Sequence, residues 1–155
     1  MQKNNTVMLW VDADACPTVV KELIFKTAIR LKQRVNFVAN QAIQLPTFKL
    51  LAFIQVGKDF DAADDYIVNN VKPGDIVITA DIPLAARLVE NQAIAINPRG
   101  EIYSVDNIKS ILSLRNFMHE MRSAGLVRGG AGAFNKLDIQ KFANSLDSIL
   151  TKARK

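Results

Sequence analysis

The 155-residue sequence predicts an α/β fold, a three-layer domain with a mostly parallel central sheet of about five strands flanked by helices. Three observations predict it. Short apolar runs alternate with amphipathic stretches of helical period, the pattern of strands joined by crossover helices. The acidic residues gather just past the ends of those runs. Hydrophobic residues make up 49% of the chain and charged residues 23%, enough apolar material for one substantial core at this length.

The elements follow in order. Residues 6–11 (TVMLWV) form a nearly continuous apolar run rich in β-branched and aromatic residues, which reads as a buried parallel strand. Pro17 suits the first position of a helix. Val19, Val20, Leu23, Ile24, Thr27 and Leu31 then recur at helical spacing, with Lys21, Glu22, Lys26 and Arg30 between them, so a helix is expected over 17–33. Residues 35–39 are a second strand, 41–47 with Pro46 a loop, and 49–56 a third strand. A helix over 61–71 is closed by Lys72-Pro73-Gly74. Residues 75–79 (DIVIT) are a fourth strand, 82–91 a short helix and 93–96 (AIAI) a fifth strand. Two further helices, 107–123 and 137–152, flank a glycine-rich stretch at 123–135. The whole reads as a single domain, with 107–155 a basic helical extension packed on it.

Composition excludes several classes of function. No apolar run reaches the roughly 18 residues that a membrane helix needs, and residues 1–5 lack the layout of a signal peptide, so a cytoplasmic protein without a membrane partner is expected. One cysteine, Cys16, and one histidine, His119, exclude an internal disulfide and a Cys/His zinc site. The net charge of +5 is unevenly placed. Residues 1–96 hold ten Lys/Arg and ten Asp/Glu, whereas 97–155 hold ten and five. A neutral scaffold with a basic last third suits a polyanion such as RNA or, as a second choice, DNA.

The aspartates carry the chemistry. Ligands of an open parallel sheet bind outside the carboxyl ends of its strands. Asp12 and Asp14 follow the first strand, Asp61 opens the helix after the third, and Asp81 follows the fourth. If 12–14 is extended, Asp12 and Asp14 point to one side. Asp61 and Asp64 share a helix face, and Ile67, Val68 and Val71 place Asp64 on the buried stripe, with Asp65 outside it. Like charges gathered near a core need protons or cations to compensate them. An all-oxygen donor set favours Mg²⁺ or Mn²⁺, ions that activate water and neutralise phosphate charge. The competing structural role is helix capping, open to Asp14, Asp61 and Asp81.

Other residues are secondary candidates. Arg99, in Asn97-Pro98-Arg99-Gly100 after the fifth strand, is placed to grip a phosphate, and Asn40 to touch substrate past the second strand. Arg115, Arg122 and Arg128, with the glycine-rich stretch, offer a surface for phosphates. Cys16 near a helix start could act as a nucleophile, but a buried packing residue explains it better. His119 is expected on the surface.

The segments WVDADACP (10–17), FDAADDYIV (60–68), GDIVITADIPLAARL (74–88), NPRGEIY (97–103), RNFMHEMRSAG (115–125) and GG…F (129–134) run in order along about 7–150. Together they resemble the YaiI/YqxD family of small, uncharacterised bacterial proteins. The resemblance implies a PIN-like fold, the nuclease superfamily whose members cut RNA with Mg²⁺ or Mn²⁺ held by acids. It implies that Asp12 is the first metal-binding Asp, that Asp61 or Asp64 is the mid-chain acid, and that Asp81 is the later acid after a T/S-x-D turn. Thr79 in that turn joins the substrate-binding candidates. Asp14 would be an extra ligand or a base orienting water. Where this chain has Gly130-Ala131, many members of the family read GGP.

The reading is therefore a metal-dependent ribonuclease with Asp12, Asp14 and Asp81 as catalytic residues and Asp12, Asp61, Asp64 and Asp81 as metal ligands. Two alternatives stay open. Asp12-Ala13-Asp14 also resembles the DxD of aspartate-nucleophile phosphatases, and the domain could instead bind RNA or a partner protein without catalysis. The sequence leaves oligomeric state open, a homodimer included.

Overall fold

The computed structural model describes residues 7–59, 61–127 and 133–153. Among the described residues, six strands form one sheet: β1 Leu9–Asp12, β2 Val35–Ala39, β3 Leu51–Gln55, β4 Ile76–Ile78, β5 Ile94–Ile96 and β6 Ile102–Tyr103. Five α-helices accompany them among the described residues: α1 Thr18–Leu31, α2 Ala62–Asn70, α3 Ile82–Glu90, α4 Ile108–Ser123 and α5 Lys136–Ala153. The strand order is β3-β2-β1-β4-β5-β6. All pairs are parallel except β5 with β6.

Alternation along β1 defines the layers. Leu9 and Val11 face one side, where α1 (Val20, Ile24) and α5 (Phe142, Leu146, Leu150) close over the sheet. Trp10 faces the other side, with Ile67 of α2, Leu84 and Leu88 of α3 and Ile108 at the start of α4. β1 is buried along its whole length because it has a strand on each side and a helical layer on each face. That explains its unbroken apolar run. Asp12 has the same parity as Trp10, so it projects toward the α2/α3 layer.

The sixth strand was not expected. It has two residues and pairs antiparallel through Ala95–Tyr103 and Ile96–Ile102. The turn between β5 and β6 is held by Asn97, whose Oδ1 accepts from the N–H groups of Arg99 (2.9 Å) and Glu101 (3.0 Å). α5 supplies three fully buried side chains, so it is a full member of the core. Its backbone presses on the same turn at Gly100.

Asp75, just before β4, marks the opposite edge of the sheet. It is buried, and its carboxylate accepts from Met8 N–H, Trp10 Nε1–H and Lys72 N–H at 3.0–3.1 Å. Three donated interactions of this kind satisfy the charge and leave Asp75 a structural clamp. No helix among the described residues is long and apolar enough to cross a membrane.

Candidate functional site

In the strand order β3-β2-β1-β4-β5, the chain runs outward from β1 in both directions, so β1 and β4 part at a crevice at their carboxyl ends. Asp12 is the last residue of β1 and is 7% exposed. Across the crevice, the Thr79 hydroxyl donates to Asp12 Oδ2 (2.8 Å). The same oxygen of Thr79 accepts from Asp81 N–H (3.0 Å). Asp81 Oδ1 in turn accepts from Leu84 N–H (2.9 Å) and caps α3. One buried hydroxyl thus ties the two aspartates, 69 positions apart in the sequence, into a single hydrogen-bonded chain.

The expectation that Asp12 and Asp14 project together from an extended segment is corrected. Residues Ala13–Ala15 form a 3₁₀ turn, so the two-residue alternation of a strand stops at Asp12. Asp14 is exposed, and its Oδ2 accepts from Asn40 N–H (2.9 Å) just past β2. Asp12 therefore looks to β4 and Asp14 to β2. Asn40 acts here through its backbone, and its carbonyl accepts from Gln55 Nε2 (3.2 Å).

Asp64 is half-buried on the inner side of α2, while Asp65 is exposed and pairs with Arg87 at 3.1 Å. Asp61 sits at the N-terminal boundary of α2 but makes no capping bond. Of the three aspartates open to a capping role, only Asp81 takes it. Asp14 does not, because Pro17 stands at the boundary of α1.

The carboxylates sense one another. Burial raises the Asp12 pKa, the Thr79 hydrogen bond offsets part of that, and the charges of Asp81 and Asp14 raise it further. Asp64 is pushed up to about 6, first by burial and then by the charges of Asp81, Asp12 and Asp61, with Arg87 opposing. Five aspartates from four segments thus share one electrostatic neighbourhood at one edge. Among the described residues, no group of three or more Asp, Glu, His or Cys side chains stands closed around a metal position. The donor set fits a hard cation that keeps much of its own water and takes one or two carboxylates from the protein, the usual habit of Mg²⁺. Asp81 Oδ2 carries no hydrogen bond among the described residues and is the oxygen left for such an ion.

The other candidates separate. Thr79 is 1% exposed and serves the aspartates. Arg99 pairs with Asp138 of α5 at 2.8 Å and its guanidinium lies 5.7 Å from the centre of the Phe134 ring, so it is a tether between the β5–β6 turn and the C-terminal segment. Arg115 and Arg122 are exposed on α4, which packs against α3. Arg128 and residues 129–132, including Gly130-Ala131, lie outside the described residues. His119 is exposed on α4. Cys16 is buried and its thiol is pushed up to about 12, chiefly by burial, which disfavours the thiolate that a nucleophile needs and fits a packing role. Sequence reasoning missed the ordering role of Asn97. An Asn-Pro pair after a strand is a turn signal that could have revealed it.

The chain matches the uncharacterised YaiI/YqxD family over residues 10–152. It is 54% identical to the UPF0178 protein of Maridesulfovibrio salexigens over 147 residues, 95% of this chain and 97% of that one. It is 51% identical to the UPF0178 protein of Hahella chejuensis, covering 95% and 98% of the two chains. The corresponding protein of Hydrogenovibrio crunogenus is 50% identical, with 93% and 95% covered. No solved structure matches the chain.

Proposed function

The chain belongs to the YaiI/YqxD family, and from that premise we propose that it is a metal-dependent nuclease of the PIN-like kind, hydrolysing RNA phosphodiester bonds with Mg²⁺ or Mn²⁺ at its acidic edge. The observation that carries the reading is the Asp12–Thr79–Asp81 chain at the crevice between β1 and β4. It places two anchored carboxylates where an open parallel sheet takes its ligand.

Asp12 and Asp81 would hold the cation, with Asp64, Asp61 and Asp14 in its surroundings. When bound, such an ion polarises a phosphate and lowers the pKa of water. The chain's own residues do the positioning. Thr79 fixes the Asp12 carboxylate by donating to one oxygen and fixes the backbone of Asp81 by accepting its N–H. The α3 cap locks the Asp81 side chain, and the helix N-terminus adds a partial positive charge that favours a phosphate nearby. The basic excess of residues 97–155 supplies long-range attraction for the nucleic acid.

The test is cleavage of end-labelled RNA and single-stranded DNA by the purified chain with Mn²⁺ or Mg²⁺. RNA is expected to be cut. Asp12→Asn and Asp81→Asn are each expected to slow cutting by at least about a hundredfold while melting stays cooperative, because Asn preserves the hydrogen bonds and removes only the charge. Failure to cut RNA or DNA of any length with either metal would overturn the proposal. Salt-sensitive RNA binding without cutting would then favour a non-catalytic domain, and a beryllofluoride adduct on Asp12 a phosphatase.

A further inference from the structure

Beside the acidic edge lies a pocket of about 310 Å³. Its walls come from the segments that carry the aspartates. Ala15 follows Asp14, and Ala80 and Ile82 flank Asp81. Pro17, Pro98, Tyr103 and Phe134 add further apolar surface, and Asn97, Arg99 and Glu101 supply the polar groups. The size is at the low end for ligand pockets and suits one small ring system. Its lining is mainly apolar, with flat faces from Phe134, Tyr103 and Pro98.

The polar groups say what kind of ligand enters. Arg99 borders the pocket, but its guanidinium is engaged by Asp138 and lies over one face of Phe134, 5.7 Å from the ring centre, which leaves the other face for stacking. Glu101, also lining the pocket, is exposed and makes no ion pair among the described residues. Its only side-chain hydrogen bond there is a long one from Asn97 Nδ2 (3.4 Å). An unpaired carboxylate at the rim repels an anion and accepts from N–H donors. Tyr103 is 4% exposed, and its hydroxyl oxygen accepts from Asn97 Nδ2 (3.1 Å), which sets the ring in place. The pocket thus rejects a phosphate and accepts a neutral, flat, donor-bearing group. A nucleotide chain whose phosphate sits at Asp12 and Asp81 has such a group one sugar away.

We infer that this pocket is a nucleobase subsite, with Phe134 as the stacking face and Glu101 selecting bases that carry an exocyclic amino group. Its place beside the reacting phosphate rests on the nuclease reading. Base binding itself rests only on the pocket. Stacking on an aromatic face tolerates all bases, so the preference comes from Glu101. Cytosine, adenine and guanine offer it an exocyclic amino group, whereas uracil offers only its single ring N3–H.

The test is an NMR titration of the full chain in EDTA with cytidine, adenosine, guanosine and uridine, which carry no phosphate and need no metal. Shifts are expected at Ala80, Ile82, Tyr103 and Phe134, with uridine weaker than cytidine. Phe134→Ala is expected to weaken every nucleoside by about tenfold. Glu101→Gln, at an exposed position, is expected to keep the fold and bring cytidine and uridine closer together, even if the Phe134 variant misfolds. Shifts elsewhere, no shifts, or a Glu101→Gln protein with the same cytidine preference would overturn the inference. Nucleoside binding by a chain that cuts nothing would overturn the nuclease reading and leave the pocket standing. Cutting by a chain that binds no nucleoside would do the reverse.

Discussion

Asp64 and Asp12 differ from the exposed carboxylates of the edge because folding withdraws them from water while bringing like charges near. For Asp64 the folded pKa, about 6, lies above its ordinary 3.8. Between those values the folded state binds the proton more tightly than the unfolded state, so this group's contribution falls as pH rises through that window. Its ionised form destabilises the metal-free protein above pH 6, and the penalty vanishes below about 4. Asp64→Asn should therefore stabilise the metal-free chain at pH 8, on the order of 1 kcal/mol once solvent screening of this half-buried group is allowed for. The gain should disappear by pH 4. Denaturant unfolding of both proteins in EDTA at the two pH values checks this, and an equal effect at both would contradict it. The position of Asp64 was legible in the sequence because its helical phase matches Ile67 and Val71. The separation of Asp12 from Asp14 was not, because nothing in Asp12-Ala13-Asp14 announces that the strand ends in a 3₁₀ turn.

The strands and helices of the α/β alternation were legible because each buried run is bounded by a turn and each helix carries a periodic face. Asp81 shows why capping and function are not rivals at this scale. One of its oxygens caps α3, and that bond fixes the other. The β5–β6 hairpin was illegible because two residues carry no measurable alternation and its pairing depends on a turn ordered by Asn97. The same turn meets α5 so closely that a Cβ on Gly100 would stand 2.6 Å from the Lys141 carbonyl carbon and 2.8 Å from Phe142 N. Gly100 also has φ +93°, and its carbonyl accepts from the Ser145 hydroxyl (2.7 Å). Gly100→Ala should cost about 2–4 kcal/mol, since both helix backbone and turn must shift. Gly74→Ala, with φ +89° and open space around it, should cost only about 1 kcal/mol of local strain. Equal losses in denaturant unfolding would mean that the α5 contact is not tight.

At the scale of the whole molecule, sheet order does what no single segment can. Asp12 and Asp81 meet because β4, not β2, lies beside β1 on the side of the crevice, a long-range pairing that local sequence does not encode. The general rule that parallel sheets bind at their carboxyl edge made the gathering of acids legible, while the identity of the linking group, Thr79, needed the strand register. The basic excess of residues 97–155 splits on folding. Arg99 is drawn into a tether to α5, while Arg115 and Arg122 stay exposed on α4. The central claim is that the crevice between β1 and β4 is a divalent-cation site. Crystals soaked in Mn²⁺ and read by anomalous scattering test it most directly. The account predicts an ion bonded to Asp12 and Asp81 that is lost in Asp12→Asn. An ion found only elsewhere, or none at concentrations that saturate hydrated carboxylate sites, would contradict it.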